Sequence, residues 1–120
     1  MSVESYANNL INSGAVGAVA VVAWNGGMWF KSNNWDPGGP DLVNAFTNKQ
    51  SVVVQNVKYA LMQATEDRYV AKNVQGSGAV VMAMVPPNKG LVVAWASPEA
   101  EVTLAYTEVA KTAAAISKVI

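Results

Sequence analysis

Apolar residues recur along this chain with two different periods, and each change of period marks a change of element. Val3, Tyr6, Ala7, Leu10 and Ile11 fall three or four apart, so a helix would carry them on one face. Asn12-Ser13-Gly14 breaks that helix. The runs Val19 to Trp24 and Met28 to Phe30 then flank Asn25-Gly26-Gly27. Gly and Asn tolerate the positive φ of a tight turn, so this stretch predicts a β-hairpin. The order sets Tyr6 and Trp29, two flat rings with polar tips, on neighbouring elements. Such a pair fits either a core contact or a surface that grips an extended peptide.

Two prolines and two glycines between Trp35 and Pro40 exclude a continuous strand or helix there, and Trp35 reads as a loop anchor packed on the body. A short helix is predicted over Asp41 to Thr47, with Leu42, Val43 and Phe46 as its apolar side and Asp41 at the positive end of its dipole. From there the pattern turns to β. Ser51 to Val54, Val57 to Gln63, Arg68 to Asn73, Ala79 to Val85 and Leu91 to Trp95 are short runs divided by turn signals. Strands so evenly spaced, with no helical crossover between them, predict an antiparallel meander. Gln75-Gly76-Ser77-Gly78 is one of its turns. It lacks the Lys-Ser/Thr ending and following helix of a phosphate loop. Ser97-Pro98-Glu99 reads as the start of a last helix, with Ser97 as N-cap and Pro98 at the first helical position. Val102, Ala105, Tyr106, Val109, Ala113 and Ile116 form its apolar face, Glu108 and Lys111 pair at its surface, and Ala113-Ala114-Ala115 allows close approach to a sheet.

Composition then removes whole classes of function. At 120 residues, 52% apolar and 13% charged, the chain predicts one globular domain spanning residues 1–120. Eight basic side chains balance eight acidic ones, so there is no electrostatic case for nucleic acid. The absence of Cys and His excludes disulfides, Cys/His zinc sites, thiol chemistry and His acid–base catalysis, and no cofactor is called for. The acids form no metal loop, and Glu66-Asp67 would point to opposite faces of a strand. An enzyme is not expected. Without a signal-like or membrane-spanning segment, the expected residence is cytoplasmic.

In the order of its elements the chain resembles a profilin. Ser2, Tyr6 and Asn9-Leu10 match that family's opening helix, and Val19 to Ser32 its hairpin with a Trp after the Gly turn. Val57 to Gln63 resembles its Lys-Tyr strand, Ala71-Lys72-Asn73 its Gly-Lys-Lys turn, and Leu91 to Trp95 its penultimate strand. The resemblance implies an α+β fold: a central antiparallel sheet of six to seven strands, terminal helices on one face and a short helix on the other side. It implies a monomer that binds monomeric actin in the cytoplasm, regulates filament assembly and docks proline-rich segments of elongation factors. Carried over by position, the actin surface would comprise Lys58, Leu61, Gln63, Lys72, Asn73, Thr103, Thr107 and Glu108. Gln63 and Asn73 stand where the family has cations, which lowers charge complementarity with acidic actin. The polyproline surface would comprise Val3, Tyr6, Trp29 and Thr112. Val3 replaces a Trp, and Thr112 and Lys118 replace aromatic or His positions. Losing about three of five rings, at about 0.5–1.5 kcal/mol each, implies weak or absent polyproline binding. Scattered cations give phosphoinositides little support. The alternative is a dimeric scaffold of the roadblock or longin sort, which a solution mass distinguishes.

Overall fold

The computed structural model describes residues 2–66, 68–87 and 89–120; Asp67 and Asn88, each in an expected turn, lie outside the described residues. Helix α1 (Val3–Asn12) starts where two serines cap each other. The Ser5 N–H donates to Ser2 Oγ (3.1 Å) and the Ser2 N–H donates to Ser5 Oγ (2.9 Å), satisfying two amides the helix leaves without partners. The hairpin follows as β1 (Ala18–Ala23) and β2 (Met28–Lys31), then α2 (Gly39–Asn48). Five short strands come next: β3 (Val52–Val54), β4 (Val57–Ala64), β5 (Arg68–Lys72), β6 (Ala79–Val85) and β7 (Gly90–Ala96). Helix α3 (Val102–Ile116) closes the fold.

All seven strands pair antiparallel in one sheet, in the order β2-β1-β7-β6-β5-β4-β3. The meander from β3 to β7 is the expected one, and β1 closes onto the free edge of β7. Strand alternation divides the apolar residues into two cores. Val19, Val21, Val81, Val85, Val92 and Ala94 meet α1 and α3 through Leu10, Ala105, Val109, Ala113 and Ile116. Ala20, Val22, Tyr69, Val80, Met82 and Val93 meet α2 through Leu42, Ala45 and Phe46 on the other face. The two-sided α+β layering expected from the resemblance is therefore present. Trp35 is buried in the α2-side core as an anchor, and Trp24 packs on Phe46 with ring centroids 5.9 Å apart.

Two helix starts differ from the sequence reading. Helix α2 begins at Gly39 rather than Asp41, so Pro40 lies inside its first turn, where its missing N–H has no partner to lose. Helix α3 begins at Val102, with Glu101 and not Ser97 at its N-cap. Ser97 to Ala100 instead make a turn, closed by the Ala100 N–H donating to the Ser97 carbonyl at 3.0 Å. The chain leaves the sheet at Ala96 and must climb to the helix layer before it can wind, and the Ser-Pro-Glu segment makes that climb.

Tyr69 is fully buried in the α2-side core, its hydroxyl donating to the Gln50 carbonyl. Burial pushes its pKa up from 10.0 to about 12. Between those values the unfolded phenol has released its proton and the folded one has not, so stability falls as pH rises through that window. Tyr59 is shifted the same way by burial, partly offset by the nearby Trp95 indole N–H. Denaturant midpoints should therefore stay level up to about pH 10 and decline above it. Tyr69→Phe should flatten part of that decline. An identical alkaline limb in the variant would assign the loss to other groups.

Candidate functional site

Helix α3 packs on β6 and β7 and leaves the same face of β4 open beside it. On β5, Tyr69 and Ala71 point into the α2-side core, so Arg68, Val70 and Lys72 point the other way. Lys72 lies opposite Ala60 and Val70 opposite Gln63 on β4, and Lys58, two residues before Ala60, shares their side. A bulge sets this register. Pairing slips between Leu61 and Gln63, leaving Met62 as the extra residue, 64% exposed. Without that slip Gln63 would face the α2-side core.

Lys58, Gln63, Lys72, Thr103 and Thr107 are all exposed, the first three on this sheet face and the two threonines on one side of α3. Arg68, absent from the sequence-derived set, joins them. Its guanidinium lies 4.2 Å from the centre of the Tyr106 ring, and its Nη1 donates to Gln63 Oε1 at 3.4 Å. A cation on an aromatic face ties β5 to α3. The available signal was its place four residues before Lys72, an even separation that puts both on one side of a strand. No ion pair among the described residues involves Lys58, Arg68 or Lys72. The face therefore presents three cations and an amide to solvent.

Three residues of the expected actin set go elsewhere. Leu61 lies opposite Ala71 and packs against the α2-side core, an odd three residues from Lys58 and so on the reverse face. Glu108 lines the groove between α1 and α3 and pairs with Lys111 at 3.6 Å. One residue past Thr107 is about 100° around the helix, which carries Glu108 to the α1 side. Asn73 sits in the β5–β6 turn with its amide engaged internally: Oδ1 accepts from the Gln75 and Ser77 N–H groups, and Nδ2 donates to the Lys58 carbonyl.

The α1–α3 groove encloses about 220 Å³ and is lined by Tyr6, Leu10, Lys111 and Thr112 among others. Of the four expected polyproline residues, Tyr6 and Thr112 line it, and Thr112 spends its hydroxyl on the Glu108 carbonyl at 3.0 Å. Val3 packs partly buried against the α1/α3 core. Trp29 stands on β2, 43% exposed, its ring against Gly90, where an added Cβ would lie 3.0 Å from it. Among the described residues that line it, the groove keeps a single aromatic ring, from Tyr6.

A sheet in this strand order, with terminal helices on one face, is a fold that solved structures share with this chain. Residues 1–119 match the family model for profilin, and the chain belongs to the profilin family. It is 38% identical to Odin profilin of Odinarchaeota yellowstonii, with all of both chains covered. Thor profilin of a Thorarchaeota archaeon is 35% identical, covering 92% of this chain and 90% of that one. Among solved structures, the complex of LokiProfilin1 with rabbit actin matches with a TM-score of 0.86 and 25% identity, covering 100% of this chain and 98% of that one. The roadblock or longin alternative is not favoured by these matches.

Proposed function

We propose that this chain is a single-domain, monomeric, non-enzymatic regulator of actin filament assembly that docks on monomeric actin through the open face of β4 and β5 and the adjoining side of α3. The observation that carries the reading is that face itself: Lys58, Arg68 and Lys72 without carboxylate partners among the described residues, flanked by Gln63, Thr103 and Thr107. A polar, cationic rim beside partly buried Val70 and Ala60 suits a reversible interface with an acidic partner. LokiProfilin1, similar along its whole length, has been solved with rabbit actin. Leu61 and Glu108 lie outside the docking surface on this reading. Polyproline binding is weak or absent, because among the described residues the α1–α3 groove offers Tyr6 with Thr112 and no further ring. On this reading the protein works in the cytoplasm, at the actin cytoskeleton.

Spontaneous polymerisation of actin from the same organism, followed by fluorescence, tests the reading. Added protein should lengthen the lag in proportion to its concentration, while a proline decamer should leave its Trp emission unchanged. An unaltered lag at saturating protein would overturn the actin reading, and a saturable response to the decamer would overturn the view of the groove.

A further inference from the structure

We propose that the β5–β6 turn is a rigid apolar extension of the actin-docking face, with Val74 as the side chain that enters the partner and Asn73 as the residue that positions it. The inference rests on the actin reading above. Val74 is 88% exposed, an apolar side chain left in water with no packing role. Its backbone, by contrast, is firmly held. The Asn73 N–H donates to the Gly78 carbonyl at 2.9 Å, closing the turn. Asn73 Oδ1 accepts from the Gln75 N–H (2.9 Å) and the Ser77 N–H (3.0 Å). Asn73 Nδ2 donates across to the Lys58 carbonyl at 2.8 Å, which fastens the turn to β4 beside a docking cation. Val74 and Lys58 line one hollow, of about 440 Å³, together with Ala60 and Gln75.

An exposed apolar group on a backbone already fixed loses little freedom when it is buried against a partner. Apolar anchors inside a polar rim are where binding energy concentrates. The fitting partner surface is an apolar depression bordered by carboxylates on the actin subunit, continuous with the area that meets Lys58 and Lys72. Asn73 also takes on a different meaning. By resemblance alone it is a missing cation; by geometry it is the clamp of the turn. A lysine there would add charge complementarity and lose the three hydrogen bonds of the Asn73 side-chain amide.

Kinetic binding to monomeric actin, measured at low and physiological salt alongside thermal melts, separates these views. Val74→Thr keeps shape and charge and should weaken binding about threefold to tenfold through faster dissociation; Val74→Asp should weaken it more than tenfold, and neither should shift the melt. Asn73→Lys should associate no more slowly than wild type yet dissociate faster, with a net loss of affinity. Wild-type affinity in Val74→Asp, or a gain in Asn73→Lys, would overturn the proposal while leaving the actin reading intact. A wild type that does not bind actin would overturn both.

Discussion

Replacing Lys58 and Lys72 together with glutamate is expected to weaken binding to monomeric actin by at least about a hundredfold, a loss of about 2.7 kcal/mol. The two lysines sit on adjacent strands, Lys72 opposite Ala60 and Lys58 two residues further along the same side. Adjacent strands lie about 4.8 Å apart, so the pair acts on one patch of the partner. Reversal turns two attractions into two repulsions against an acidic surface, and like charges held together at an interface cost several kcal/mol. Most of the loss should appear in the association rate and should shrink as salt rises, because steering is screened. Both side chains are exposed and lack ion-pair partners among the described residues, so the melting temperature should stay close to wild type. Surface plasmon resonance at two salt concentrations checks this. Unchanged association kinetics would place the interface elsewhere.

Gly78→Ala should destabilise the fold by about 3 kcal/mol and lower the melting temperature by about 10 °C. Gly78 has φ +97, and an added Cβ would lie 2.3 Å from the Ala96 carbonyl oxygen and 2.8 Å from Trp95 Nε1. Conformational strain contributes about 1–2 kcal/mol and steric overlap the remainder. Gly76→Ala, two residues away, is the control. It shares a positive φ of +89 but has nothing within 4 Å of the added carbon, so it should show the conformational part alone. Equal melts for the two variants would mean that the strand ends around Trp95 yield freely.

These predictions draw on features that were unequally visible in the sequence. Hairpin, meander and helix faces could be read because each depends on local periodicity and turn residues. The Gln55-Asn56 turn between β3 and β4 is an example: both residues adopt positive φ, 50 and 67, as a type I′ hairpin turn requires. The start of α3 could not be read so well, since Ser97-Pro98-Glu99 is a sound local helix signal overruled by the climb from sheet to helix layer. The side taken by Gln63 depends on the bulge at Met62, which no pattern of residue types announces. The side taken by Leu61, by contrast, follows from simple alternation with Lys58. Arg68 acquires its meaning only when α3 brings Tyr106 to it, and Asn73 only when the turn folds back onto Lys58.

The most direct test of the docking face is a nuclear magnetic resonance titration of isotope-labelled protein with monomeric actin, read residue by residue. Perturbations should cluster at Lys58, Gln63, Arg68, Lys72, Thr103 and Thr107, and leave α2 and β3 undisturbed. A footprint centred on α2 and β3, or on the α1–α3 groove, would contradict it.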